Sequence, residues 1–193
     1  MAQLTGPKKT KCAVFISGTG SNLKALIQFS EKKSSPISVE LIISDNAKAK
    51  GLKFGKAFKI SNKVFNYKDK ISNEKNIISE LKNKKIKLIC LAGFMKILSK
   101  DFIKNFNGRI LNIHPSLLPK YKGLNTHERV LTNNEKYSGC TVHFVNSRLD
   151  SGKIILQKKV KISKNDTAKS LAKKILAQEH KLYPKAIKKV FSR

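Results

Sequence analysis

Acidic residues are scarce in this chain: 12 aspartates and glutamates stand against 41 lysines and arginines among 193 residues, a formal net charge of +29. Tryptophan is absent, and cysteine occurs only at positions 12, 90 and 140. Three widely spaced cysteines form neither a disulfide framework nor a zinc-type CxxC pair. Cys12 and Cys90 lie inside apolar runs, where cysteine serves as a small buried residue, and the pattern suits a reducing cytoplasm. No run approaches the ~20 consecutive apolar residues of a membrane helix. The start, "MAQLTGPKKTKC", has no apolar centre of a secretory signal. Residues 1–10 read as a tail and 11–193 as one domain, long enough to bury a core.

A strongly basic surface attracts polyanions. Only four of the basic residues are arginine (Arg109, Arg129, Arg148, Arg193), however, and base readers and phosphate forks favour arginine. The lysines are spread over nearly every segment. This reads as a compositional bias, with no specific nucleic-acid partner expected.

Short apolar runs alternate with helical-period segments. The runs are "CAVFIS" (12–17), "ISVELIIS" (37–44), "KVFNY" (63–67), "IKLICLAG" (86–93) and "RILNIH" (109–114), with helices expected from about 21, at 48–57, 71–84 and 99–105. Valine-, isoleucine- and leucine-rich runs separated by helices signal βαβ units around a parallel sheet buried on both faces. After residue 135 the pattern changes to two strands, "SGCTVHFVN" and "KIILQKKVKI", joined closely enough to pair antiparallel. A last helix spans about 167–190, with Asp166 as its expected N-cap. The fold class is α/β, a mostly parallel sheet with an antiparallel C-terminal strand pair and helices on both faces.

Two segments carry candidate chemistry. In "VFISGTGSNLKAL" (14–26) a strand runs into glycines and then a helix, so Gly20, Ser21 and Asn22 sit where helix amides favour an anion. The segment is neither GxGxxG nor GxxxxGK[ST], which argues against dinucleotide and Walker-type binding. An ordinary glycine turn fits it as well, and both readings stay open on these residues alone. In "GRILNIHPSLLPKYKG" (108–123), Asn112 and His114 are two apart on a strand and leave the same face at its C-terminal end. An amide beside an imidazole suits acyl transfer, one steadying an oxyanion and the other moving protons. Leu118–Pro119 is a candidate cis bond. No histidine spacing suggests a metal site, and His127, His143 and His180 read as structural or outer residues.

The blocks "SGTGSNL", "LAGFMKIL", "LNIHPSLLPKYKG", "TVHFV", "LDSGKIILQ" and "QEHKLYP" resemble, in order and spacing, the phosphoribosylglycinamide formyltransferases, folate-dependent enzymes of purine synthesis. The resemblance covers about residues 12 to 185. It implies a Rossmann-like formyltransferase domain that moves a formyl group from 10-formyltetrahydrofolate, a co-substrate, to the amine of glycinamide ribonucleotide. It implies no metal, a cytoplasmic location, and a monomer or homodimer. Carried across by motif, Asn112, His114 and Asp150 look like the catalytic centre, with the carboxylate raising the pKa of the imidazole. Gly20, Ser21 and Asn22 would hold the substrate phosphate, and Glu179 the sugar hydroxyls or glycinamide. Met95, Lys96, Ile97 and Leu98, with Asn112, Asn146, Ser147, Arg148, Leu149 and Asp150, would form the folate pocket. Taken singly, Asp150 also reads as a turn aspartate, Glu179 as a solvated helix residue, and Met95–Leu98 as core packing. Methionyl-tRNA formyltransferases share the Asn112, His114 and Asp150 region but add a C-terminal RNA-binding domain, for which no residues are expected here. Formyltetrahydrofolate hydrolases add an N-terminal regulatory domain.

Overall fold

Strand β1 (Thr10–Ile16) is buried on both sides from Cys12 onward, which is why its sequence shows no polar alternation. Cys12, Val14 and Ile16 face one layer; Ala13 and Phe15 face the other. The structure, a computed structural model, describes residues 9–192. Residues 1–8 of the expected tail lie outside the described residues, and Thr10 already belongs to β1, its N–H donating to Pro36 at 2.8 Å.

Along the chain follow α1 (Ser21–Ser30), β2 (Ile37–Ser44), a 3-10 turn (Lys50–Leu52), α2 (Lys53–Ala57), β3 (Ser61–Val64) and α3 (Lys70–Asn83). Then come β4 (Leu88–Leu91), α4 (Lys100–Asn105), β5 (Arg109–His114), α5 (Thr126–Thr132), β6 (Tyr137–Phe144), β7 (Ile154–Lys161) and α6 (Ala168–Phe191). The seven strands form one sheet in the order β3-β2-β1-β4-β5-β6-β7. Neighbours are parallel from β3 through β5, and β6 is antiparallel to both β5 and β7. The expected C-terminal hairpin is therefore present, and among the described strands β6 runs against the others. Strand order reverses between β1 and β4, so the crevice beyond their carboxyl ends is the topological switch point, where open α/β sheets bind ligands.

Helices cover both faces. Leu23, Leu26 and Ile27 of α1 and Leu171, Ile175 and Tyr183 of α6 pack on one layer, while Ile77 and Leu81 of α3 and Phe102 of α4 pack on the other. The α6 helix also fastens the sheet beneath it. The buried Tyr183 hydroxyl shares its proton between the carbonyls of Leu91 (3.1 Å) and Leu111 (3.0 Å), at the adjacent strands β4 and β5.

Three local expectations need correction. Thr167, not Asp166, is the N-cap of α6; it forms a reciprocal capping box with Ser170. Asp166 instead accepts from the Ser163 amide, the Ser170 hydroxyl and the Lys174 ammonium. The helix expected over 48–57 is a 3-10 turn followed by the short α2, because Gly51 is pressed against the first loop. Its N–H donates to Gly18 at 3.0 Å, and a Cβ at Gly20 would lie 2.7 Å from its Cα. Strand β3 is only four residues long and exposed, an edge paired with β2 alone. Leu118–Pro119 is cis, as expected.

Replacing Tyr183 by Phe leaves the Leu91 and Leu111 carbonyls without this donor, and an intramolecular hydrogen bond is worth about 0.5–1.5 kcal/mol net. The expected result in equilibrium urea denaturation is a loss of about 1–2 kcal/mol, seen as a lower midpoint at unchanged slope.

Candidate active site

The register of β5 against β6 builds the centre of the site. Asn112 and His114 leave β5 on one side, and the antiparallel ladder sets His143 of β6 directly opposite Asn112. After β6 the chain turns through residues 146–149 and returns Asp150, with a left-handed backbone (φ 45°), to the same point. The Asp150 carboxylate then lies between both strands. Its Oδ2 is 3.3 Å from His114 Nδ1 and accepts the Gly123 amide at 2.9 Å. Its Oδ1 is 3.4 Å from Asn112 Nδ2 and 3.6 Å from His143 Nε2.

Carbonyl contacts assign the tautomers of both rings. A carbonyl can only accept, so His114 Nε2 donates to Tyr121 at 2.8 Å and His143 Nδ1 donates to Phe144 at 2.8 Å. With Nδ1 committed to Phe144, an uncharged His143 ring offers Nε2 as an acceptor, 3.3 Å from Asn112 Nδ2. Both amide protons of Asn112 face protein acceptors over long distances, and the amide is oriented without being tightly held. In neutral His114 the vacant nitrogen is Nδ1, facing Asp150, so a proton taken up there is received beside a carboxylate.

Burial and charge oppose each other at this pair. Burial is the largest influence on His114 and lowers its pKa; the contacts with Tyr121 and Asp150 raise it but do not prevail. The sequence expectation of a raised imidazole pKa is therefore reversed, because the ring is only 5% exposed. For Asp150, burial pushes upward, but His143, the Gly123 amide and His114 outweigh it and hold the carboxyl below its ordinary value. The pair is a carboxylate beside a neutral imidazole that can accept a proton.

The glycine loop lies at the end of β1. Gly20 is left-handed (φ 72°) and caps α1 through its backbone, leaving the first amides of the helix free of intrahelical partners. Ser21 is partly exposed, whereas Asn22 is buried. Asn22 Nδ2 donates to Glu179 on α6 at 2.7 Å, and its buried Oδ1 has no partner among the described residues. Glu179 is 6% exposed, so it is not a solvated helix residue; burial raises its carboxyl and the Asn22 bond only partly offsets that.

These groups open onto one cleft of about 570 Å³. Its wall includes Asn22, Met95–Leu98, Asn112, His114, Asn146–Asp150 and Glu179; of the glycine loop, Asn22 lines the cleft and Gly20 and Ser21 do not. Met95, Ile97, Leu124 and Leu149 are exposed apolar side chains on its lining, while Leu98 is buried in the second core layer. Core packing thus describes Leu98 and not its neighbours. The sequence reading missed His143, since only the β5–β6 register shows that this strand histidine meets Asn112. It also missed Tyr121 and Gly123, whose backbone groups hold His114 and Asp150. Among the described residues, no helix is long and apolar enough to cross a membrane.

The formyl transferase family model matches residues 10–187 of the chain. Phosphoribosylglycinamide formyltransferase of Haemophilus influenzae is 41% identical over 181 residues, covering 92% of this chain and 85% of that protein. The trifunctional purine biosynthetic protein adenosine-3 of Bos taurus is 43% identical over 189 residues, 96% of this chain, and the chain spans about a fifth (19%) of its length. The crystal structure of phosphoribosylglycinamide formyltransferase from Brucella melitensis superposes with a TM-score of 0.90 at 44% identity, covering 95% of this chain and 96% of that one.

Burial holds His114, His127 and His180 below the ordinary histidine value of 6.5. The unfolded chain therefore binds protons at these rings before the folded chain does. Their contribution to stability is present above the unfolded value and is lost as pH falls below it, so the urea midpoint is expected to drop from about pH 7 to about pH 5. In NMR titration His114 is expected to protonate below 6.5, and lower still in Asp150→Asn, which removes the neighbouring charge.

Proposed function

We propose that this chain, which belongs to the formyl transferase family, transfers the formyl group of 10-formyltetrahydrofolate to the amine of glycinamide ribonucleotide, a step of purine synthesis in the cytoplasm. The observation that carries this reading is the convergence of Asn112, His114 and Asp150 between two unlike walls of one cleft. One wall has Asn22, in the first turn of α1, and the buried Glu179, suited to a phosphorylated sugar. The other has exposed apolar side chains from residues 95–97 and 149, suited to a flat heterocycle.

In this assignment the backbone amides at Gly20, Ser21 and Asn22, with the Ser21 hydroxyl, hold the phosphate monoester. Asn22 also orients Glu179, whose carboxylate binds sugar hydroxyls or the glycinamide. Residues 95–98 and 146–149 sandwich the pterin of the formyl folate. The neutral amine attacks the formyl carbon to give a tetrahedral intermediate with an oxyanion and an ammonium. Asn112 rotates one N–H from its long bonds toward the oxyanion; hydrogen bonds in an empty site commonly tighten only with substrate. The proton leaves the ammonium for the His114–Asp150 pair, directly or through water. Folate N10 receives a proton as its bond to carbon breaks, and the carbonyl re-forms as the product formamide. A neutral His114 is the form this route needs at its start, which agrees with the burial that lowers its pKa.

Purified protein given 10-formyltetrahydrofolate and glycinamide ribonucleotide is expected to release tetrahydrofolate, and far less with water as the sole acceptor. Equal release in both assays would replace the transferase reading with a hydrolase. His114→Ala and Asp150→Ala are each expected to lower kcat by about 10²–10⁴-fold, the usual worth of a general acid–base group, while circular dichroism stays native. Near-parental turnover in either variant would overturn the roles given to them.

A further inference from the structure

Behind the cleft, its two walls are tied together at Ser17. Ser17 is the first residue beyond β1, directly before the glycine loop, and it stands at the switch point beside the end of β4. Its Oγ donates to Asp45 Oδ1 at 2.5 Å and accepts the Met95 amide at 2.8 Å. Asp45 lies just past β2, and its side chain is 8% exposed. The carboxylate can only accept, so it takes the hydroxyl proton and turns the oxygen lone pairs toward Met95. Lys96 Nζ is 3.9 Å from the other Asp45 oxygen, and the Asn46 side-chain Nδ2 donates to the Ser17 carbonyl at 3.3 Å.

The segment 95–98 is thus hung between two anchors. Ser17 holds its first amide; Glu74, buried on α3, accepts the Ser99 amide at 2.9 Å just past its last residue. The glycine loop on the other side is pinned separately, by the Gly51 amide on Gly18. Ser17 joins the glycine loop to this segment twice, its N–H donating to the Gly93 carbonyl at 3.1 Å and its side chain holding the Met95 amide where the 95–98 wall begins. Resting on the substrate assignment above, we propose that Ser17, oriented by Asp45, is a positioning residue that sets the distance between the two bound substrates and hence between amine and formyl carbon.

A group that sets reacting distance acts on turnover more than on binding, since a misplacement of about 1 Å can cost ~10²-fold in rate. Ser17→Ala is expected to lower kcat about 10–100-fold while both KM values stay within about threefold. Ser17→Thr, which keeps the hydroxyl, should restore kcat to within about threefold of the parent, and Asp45→Asn, which keeps an acceptor but not the charge, should lose less than Ser17→Ala. Ile37→Val, in the buried core at the amino end of β2 and away from the strand ends that carry the site, serves as the comparator that lowers stability without changing kcat. A second readout needs no substrate: amide exchange at Met95 should quicken about tenfold in Ser17→Ala and recover in Ser17→Thr. Unchanged exchange, unchanged kcat, a loss confined to KM, or failure of Thr to rescue would each overturn the proposal. Quickened exchange in a protein whose parent formylates nothing would support the strut and remove the substrate reading instead.

Discussion

A carboxylate taken out of water must be surrounded by donors, and Asp150 is such a carboxylate. It is 9% exposed, and its two oxygens face His114, His143, Asn112 and the Gly123 amide. Leaving a buried charge unpaired costs several kcal/mol, on the order of half the stability of an ordinary domain. The loops at 121–125 and 146–152 therefore come together as a unit. Arg129 holds the Lys122 and Leu124 carbonyls, Lys122 reaches Ser151, and Tyr121 turns its carbonyl to His114. Left-handed backbone at Tyr121, Gly123, Asn125 and Asp150 is concentrated in these loops. Such conformations persist where surrounding contacts over-determine them.

Behind the carboxylate, the sheet supplies the frame. Reversal of strand order between β1 and β4 leaves a crevice into which the ends of β1, β2, β4 and β5 deliver Ser17, Asp45, the 93–98 segment and Asn112 with His114. Reversing β6 adds His143 across from Asn112, a position that a parallel strand in this place would have approached from the opposite end. On the far side, α6 packs against α1 and brings Glu179 to Asn22 from 157 residues away. The site is an assembly of strand ends on a rigid sheet, completed by one helix.

Charge acts on two scales. At the surface, lysines on nearly every element give the +29 excess, a field that raises the encounter rate of anionic ligands and weakens with salt. Inside the cleft the decisive charges are few and buried: Asp150 and Glu179, whose carboxyl pKa values move in opposite directions because one sits against two imidazoles and the Gly123 amide and the other is met by a single side-chain amide. Desolvation likewise overrides the attraction of Asp150 at His114 and leaves a neutral ring beside a carboxylate.

Apolar runs buried on both faces, the switch to alternation after residue 135, and a strand ending in Asn112 and His114 are local properties. Each is written in consecutive residues, so strand and helix order, the α/β class, and the same-face placement of Asn112 and His114 follow from the sequence by itself. The family-wide blocks added Asp150 and Glu179, whose own neighbours read only as a turn and a helix. What stayed hidden depends on contacts between distant segments. His143 meets Asn112 through a strand register, Asn22 spends its amide on Glu179, Ser17 bridges two walls, and His114 has its pKa lowered by burial. Thr167 takes the α6 cap because Asp166 is engaged by Ser163 and Lys174. Periodicity and spacing record which way a side chain leaves its own element. Only the tertiary structure determines what that side chain meets and how much water remains beside it, because register, packing and desolvation arise between elements.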